Sequence, residues 1–365
     1  MSDTASVPAT MLAAVLYGPG DLRLENRAVP APGPDEVVIK VRSCAICGTD
    51  PKIVAHGWPG QPAYGDYIPG HEYAGTIVKT GAGVTALSVG DRVVVEPHKG
   101  CGKCENCMRG LYTTCLNYGK METGHRHYGF TANGGYAGYA VNHVNTCHPI
   151  PHGITFDEST LATTAGTALY AIERAGGVEA GSTVAVFGPG PIGLMAVQLA
   201  KSMGAGRVIM VGTRESRLEK ARQVGADRTV NSKEADPVEA IRSATGGRGA
   251  DLVLECSGSP GAARQSIDAV RKSGRIGLLG IYQEEVPVKL DQVVQWNLTV
   301  AGGKAEGGWA LRRVMPLVGS GRLKVAPLIT HRFPLTQVHR AFEVFTGREG
   351  GAIKVIVNPS AGEEA

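Results

Sequence analysis

The chain is 365 residues long, with 19% charged residues, 43% hydrophobic residues and 51 glycines, an ordinary globular composition with material for two hydrophobic cores. A formal net charge of +4, only 5% aromatic residues and the lack of any Lys/Arg stripe argue against nucleic acid as a partner. No stretch approaches about 18 uninterrupted apolar residues, and residues 1–10 carry neither a basic nor an apolar signal region, so no membrane span is expected and the protein is placed in the cytoplasm.

Residues 1–10 and 360–365 read as mobile tails. From residue 11 to about 149, short β-branched runs at 13–16, 36–41, 73–78 and 91–95 alternate with Gly and Pro, which predicts a compact β-barrel-like domain. Gly70-His71-Glu72 directly precedes one of these strands, which would put His71 and Glu72 on a loop at its mouth. Within Ser43-Cys44-Ala45-Ile46-Cys47-Gly48-Thr49-Asp50 lies a C-x2-C pair. Alone it is compatible with a redox pair, half a zinc site or two buried thiols. The neighbouring chemistry favours metal, since Cys47 can supply a thiolate, His71 an imidazole and Asp50 an outer acceptor that orients the imidazole. Cys44 and Cys147 read as buried thiols.

Cys101-x2-Cys104-x2-Cys107-x7-Cys115 is the most specific local signal. Four thiolates at this spacing close a tetrahedral site with no open position, which makes it structural and pins the lobe at about 97–117. Fortuitous cysteines and an iron–sulfur cluster are the competing readings. The following segment, 118–130, carries His125 and His127 and reads as a solvated loop rather than as a wall of a pocket.

A helix is expected over 157–175, and the domain boundary with it. Residues 183–187 then read as a strand that enters Gly188-Pro189-Gly190-Pro191-Ile192-Gly193 and passes straight into a helix. The glycines suit a tight turn, close approach of backbone to a pyrophosphate and close helix packing, while the helix N-terminus offers unpaired N–H groups to phosphate. Strands at 207–211, 251–255 and 275–279 alternate with helical stretches, so the fold class is α/β with a doubly wound parallel sheet. With the last strand of this sheet expected near 292–298, the second domain is assigned to 156–295. Strands at 328–335 and 352–357 would complete the first domain, 1–155 with 296–365.

The order Cys47-Gly48-Thr49-Asp50, Gly70-His71-Glu72, four-cysteine lobe and dinucleotide fingerprint resembles the zinc-dependent medium-chain dehydrogenase/reductase family, in its alcohol and polyol dehydrogenase branch. The resemblance covers roughly residues 12–359. It implies a GroES-like catalytic domain plus a Rossmann domain, a homodimer or homotetramer, and hydride transfer between a nicotinamide cofactor and a secondary alcohol or its ketone. Zinc would act as a Lewis acid on the substrate oxygen. By position Cys47 and His71 resemble zinc ligands, Thr49 the hydroxyl that takes the alcohol proton, Asp50 the partner of the histidine, and Glu72 the carboxylate that can swing onto the metal. One departure stands out: the family's third ligand, Cys or Glu, aligns with Thr164. Glu72 supplies that bond, or water fills the position, or the site has lost its metal.

In NAD-binding members an acidic residue ends the second dinucleotide strand. Here the position is Gly212, followed by Thr213 and Arg214, a hydroxyl and a guanidinium suited to a 2′-phosphate, so NADP is favoured and NAD is the alternative, through Glu215. Arg217 would pack along the adenosine, and Ser257, Leu279, Gly280 and Ile281 would line the nicotinamide end. Two other functions remain in competition: a dinucleotide-binding sensor or scaffold, supported by Thr164 alone, and a zinc-free enone or quinone reductase, disfavoured by the four-cysteine lobe.

Overall fold

The computed structural model describes residues 7–360, so residues 1–6 and 361–365 of the two expected tails lie outside the described residues. In chain order the elements begin with strands β1 (Thr10–Gly18), β2 (Asp21–Ala28) and β3 (Glu36–Ala45) and helix α1 (Asp50–His56). Next come β4 (Glu72–Thr80), β5 (Arg92–Val95), β6 (His98–Lys99), α2 (Glu105–Met108), β7 (Arg126–His127), β8 (Tyr139–His143) and β9 (Cys147–Pro149). Helix α3 (Phe156–Arg174) leads to β10 (Thr183–Phe187), α4 (Pro191–Ser202), β11 (Arg207–Gly212), α5 (Glu215–Gln223), β12 (Arg228–Asn231), α6 (Pro237–Ala244) and β13 (Ala250–Glu255). The chain continues through α7 (Pro260–Ala269), β14 (Val270–Leu278), α8 (Leu290–Gln295), β15 (Thr299–Gly302) and α9 (Ala310–Gly319), and ends with β16 (Ile329–Pro334), α10 (Val338–Gly347) and β17 (Lys354–Asn358).

Two compact units result, 1–163 with 325–365 and 164–324. In the first, the sheet runs β16-β17-β3-β4-β5-β9, with β8 also on β3 and β1-β2 forming a separate hairpin. β3 is the hub, because it pairs antiparallel with β4 along most of its length, with β8 over Glu36 to Lys40 and with β17 at Cys44 and Ala45. Its run Val37, Val38, Ile39 is buried on both faces, as a strand covered on both sides must be. The β3–β17 junction carries function, since it brings the C-terminal strand against the segment that leads to Cys47.

Three expectations are corrected here. Glu72 is not on the loop but opens β4, with His71 immediately before it. Parts of the tails are structured: Val7 packs on the core, Ala9 accepts a backbone hydrogen bond from Val29, and buried Ser360 donates its hydroxyl to the Val41 carbonyl. Third, the chain does not return at 296. Residues 299–302 add to β14 in parallel, and the second unit runs on to Lys324. The apolar residues of 290–298 that suggested a strand sit instead largely on α8, where Leu290 and Val294 face outward.

The second unit is a six-stranded sheet in the order β12-β11-β10-β13-β14-β15, every neighbouring pair parallel. This is the doubly wound arrangement, and its direction of winding reverses between β10 and β13, where such sheets take ligands beyond the strands' carboxyl ends. β10, β11 and β13 are almost wholly buried apolar strands, as helix layers on both faces require.

Candidate active site

The segment after β3 turns at Cys47 and enters α1, with Thr49 at the N-cap. Asp50, fully buried, organises what surrounds it. Its Oδ2 accepts from the Cys47 backbone N–H at 2.7 Å and from the Tyr136 hydroxyl at 3.0 Å, and its Oδ1 lies 3.2 Å from His71 Nδ1. Cys47, His71 and Glu72 each offer a ligand atom, and the three atoms lie within 4.8 Å of one another. Burial pushes the His71 imidazole down, but the charges of Asp50 and Cys47 and the hydrogen bonds to both outweigh it and hold the ring well above its ordinary value. The Thr49 hydroxyl oxygen is buried and has no hydrogen-bond partner among the described residues.

Two features of this site escaped the sequence reading. Lys354, the first residue of β17 and 2% exposed, puts its ammonium on Glu72 Oε2, with the Ile46 carbonyl at 3.5 Å. Burial pushes Lys354 down, and the charges of Glu72, Cys47 and Asp50 with the hydrogen bond to Glu72 together more than restore it, so the ammonium stays charged. Its signal was a lone lysine inside Ala352-Ile353-Lys354-Val355-Ile356-Val357. The second feature corrects the reading of 118–130 as a solvated loop: His125 and His127 are buried. The His127 ring stacks at 3.7 Å on Phe130 and at 3.6 Å on His98, and Phe130 in turn lies 4.6 Å from the His71 ring. Tyr118 shares a 2.6 Å hydrogen bond with His127 Nδ1 and accepts one from Trp58 Nε1. Stacking and the Tyr118 hydrogen bond give the His127 ring the contacts that burial requires.

The four cysteines of the lobe converge. Cys101 and Cys107 sulfurs are 4.0 Å apart, and those of Cys104 and Cys115 3.8 Å. A tetrahedron with zinc–sulfur bonds of about 2.3 Å has sulfur–sulfur edges of about 3.8 Å, so the set fits zinc without rearrangement. Asn117 donates its backbone N–H to Cys115 and its amide to Cys101, hydrogen bonds of the kind thiolates accept. Burial opposes ionisation of Cys101, yet these and backbone donors bring it down to about 6, while burial pushes Cys107 up to about 12. Cys44 and Cys147 lie in the core, where burial raises both thiols, Cys147 to about 12.

In the second unit, Gly188 turns the chain at a φ of 96°, and a Cβ there would meet Ser257 at 2.7 Å. Gly190 caps α4, and Pro191, Ile192 and Gly193 form its first turn, so free N–H groups face the carboxyl end of β10. Gly212 ends β11, where a Cβ would lie 2.6 Å from the Pro189 ring, leaving no room for a side chain. Thr213 and Arg214 are exposed at the start of α5, and Arg217 reaches the Pro189 carbonyl at 3.5 Å. Burial and the nearby Arg214 both lower Arg217. Glu215 is ion-paired to Arg222. Leu279 is buried and Ile281 is 68% exposed, with Gly280 between them. Thr164 is buried within α3.

A parallel sheet with a glycine-rich phosphate turn, together with a Cys/His/Glu cluster and a four-cysteine lobe, defines a nicotinamide-dependent oxidoreductase of the zinc type. Known families agree. The alcohol dehydrogenase GroES-like domain matches residues 33–152 and the zinc-binding dehydrogenase domain residues 191–310. A sorbitol dehydrogenase of Halalkalibacterium halodurans is 33% identical over 94% of this chain and 97% of its own length. An L-threonine 3-dehydrogenase of Pyrococcus abyssi is 36% identical over 89% and 92%. The solved structure of a zinc-binding dehydrogenase from Sinorhizobium meliloti 1021 bound to NADP superposes with a TM-score of 0.87 at 30% identity, covering 96% of this chain and all of that one. The chain belongs to the zinc-dependent medium-chain dehydrogenase family, with a GroES-like and a Rossmann domain, and is an NAD(P)-dependent oxidoreductase of alcohols or polyols. Among the described residues no helix is long and apolar enough to cross a membrane.

Proposed function

We propose that Cys47, His71 and one carboxylate oxygen of Glu72 hold a catalytic zinc, and that the enzyme oxidises a secondary alcohol or polyol with NADP, and reduces the matching ketone. The observation that carries this is the mixed cluster of ligand atoms within 4.8 Å with the partnerless Thr49 hydroxyl two residues from Cys47. The donor types support it as well: a sulfur, an imidazole nitrogen and a carboxylate oxygen are the ligands zinc takes. Bound there, zinc supplies Lewis acidity to the substrate oxygen while the nicotinamide exchanges the hydride. Thr49 Oγ1 takes up the alcohol proton. Asp50 fixes the His71 ring from its Nδ1 side, leaving Nε2 for the ion. Lys354 holds the Glu72 carboxylate beside Cys47 and His71, where it would take the place of the missing ligand at Thr164.

For the cofactor, the preference for NADP rests on Gly212, which has no space for an acidic side chain, on the neighbouring Arg214 and Arg217, and on Glu215 being engaged by Arg222. Oligomerisation is supported by β15, an exposed edge strand of the second unit's sheet that carries Val300, and by the exposed Val288, Leu290 and Val294 of the same unit. Residence in the cytoplasm is supported by eight free cysteines. Steady-state kinetics on a panel of secondary alcohols and polyols with both cofactors tests the reading. Arg214→Ala raises KM for NADP(H) by about 10- to 100-fold, the loss of a charge-assisted phosphate contact of about 1.5–3 kcal/mol, and leaves NAD(H) unchanged. An equal effect on both cofactors removes Arg214 from phosphate recognition, and a panel without turnover removes the alcohol.

A further inference from the structure

We propose that Glu255, which no motif singles out, is a positioning residue for the nicotinamide end of the cofactor: a buried carboxylate that welds together the two loops leaving β13 and β14. Glu255 closes β13 and is wholly buried. Its backbone carbonyl accepts from the N–H groups of Leu279 at 2.8 Å and Gly280 at 3.1 Å. One carboxylate oxygen, Oε1, accepts from the Ser257 N–H at 2.8 Å and from the Ser257 hydroxyl. The other, Oε2, accepts from the Gly258 N–H at 3.1 Å and from the Tyr282 hydroxyl at 2.7 Å. Ser257 Oγ in turn accepts from the Ser259 N–H at 3.1 Å, which carries the network to the cap of α7.

These side-chain partners are neutral donors, and none is a cation. A carboxylate buried without a counter-charge is costly and persists only where every lone pair is used, as here. An apolar side chain of similar volume would hold the strand end at lower cost. What it could not do is fix the Ser257–Gly258 turn and the Tyr282 segment in one geometry from a single point. Burial, and then the bond to Glu255, push the Tyr282 hydroxyl up and keep it a donor. The location gives the clamp its purpose. The two loops leave the carboxyl ends of β13 and β14 beside the point where the sheet's winding reverses, and Ser257 packs directly on Gly188 of the phosphate turn. The proposal rests on the reading that Ser257, Leu279, Gly280 and Ile281 flank the nicotinamide.

Glu255→Gln tests it. The substituted amide turns one acceptor into a donor that faces the backbone N–H of Ser257 or of Gly258, so the weld opens while the volume is kept. Dissociation constants are measured by calorimetry for NADPH and NADH and for their nicotinamide-free fragments, 2′-phospho-ADP-ribose and ADP-ribose, together with the fluorescence gain of the bound reduced nicotinamide. The expected result is about tenfold weaker binding of the whole cofactor, a reduced fluorescence gain, and fragment binding within about twofold of the parent, the size of one lost charge-assisted hydrogen bond. Tyr282→Phe, which removes one donor and adds no polar group, shows the same selectivity with a smaller shift, and it carries the test if Glu255→Gln does not fold. Equal weakening of cofactor and fragment, or no weakening of either, overturns the proposal. A parent enzyme that binds the fragment but gains no fluorescence with the whole cofactor overturns instead the placement of the nicotinamide.

Discussion

In the lobe, four like candidate ligands come from one stretch of fifteen residues, Cys101 to Cys115, while in the Cys47 cluster three unlike candidate ligands come from two strand ends and are steadied by a lysine 282 residues beyond Glu72. The lobe has little else to hold it. None of its four α2 residues is buried, and Met108 and Leu116 are largely exposed, so a metal held by the four cysteines would take the place of a core. The Cys47 cluster is the reverse: Asp50, His71, Glu72 and Lys354 are all buried against core residues such as Ile46, Tyr73 and Tyr136, and are positioned by hydrogen bonds that need no ion. A metal that substitutes for a core and a metal that sits in a finished frame respond differently to the same insult, and that difference is open to test.

The largest expected effect is on activity. Cys47→Ala removes a ligand from the finished frame, and kcat/KM falls on the order of 10³-fold, the several kcal/mol that Lewis-acid assistance provides, while the Tm stays within a few degrees of the parent. A variant that keeps its activity would remove Cys47 from the chemistry. Lys354→Met comes next, and its effect is on stability: it takes the buried cation away from buried Glu72, at a cost of about 3 kcal/mol or more in denaturant unfolding, and the double variant Lys354→Met/Glu72→Gln recovers most of it. Additive losses would mean that the pair is not coupled. Cys104→Ser in the lobe lowers the Tm by several degrees and the zinc content by one ion per chain, yet the fraction that folds keeps its turnover number. A matching fall in turnover would show that the lobe acts on the active site. The smallest effect is that of Glu72→Gln, which replaces a proposed carboxylate ligand by a weaker amide oxygen, speeds loss of the catalytic ion by at least about tenfold and leaves the lobe's ion untouched.

What was legible in the sequence follows the same division. The four cysteines and Gly188-x-Gly190-x-x-Gly193 are local arrangements, in which spacing alone brings donors together, and both are found where they were expected. His71 and Asp50 were suggested by their chemistry beside Cys47, but the ligand role of Glu72 became legible only through the resemblance, because no spacing rule joins residues 47–50 to 71–72; the pairing of β3 with β4 does that. Lys354 depends on a still longer contact, β17 against the end of β3, and a lysine in an apolar strand gives no hint of which carboxylate it will meet. His125 and His127 were assigned to solvent because their residue type suggested it, whereas stacking with Phe130 and His98 supplies the burial that type alone does not predict. The return of the chain was placed too early because β15 is a four-residue edge strand whose exposed residues give no alternation, so only its pairing with β14 identifies it.

The most direct test of the account is zinc release followed against activity. Enzyme loaded to about two zinc ions per chain is exposed to a chelator while released zinc, turnover and near-ultraviolet circular dichroism are recorded together. The account predicts two phases: a faster release of one ion from Cys47 and His71 that abolishes turnover with the fold intact and is reversed by added zinc, then a slower release from the four cysteines that is accompanied by loss of structure. Turnover that survives the first phase, or a single phase in which activity and structure are lost together, would contradict it.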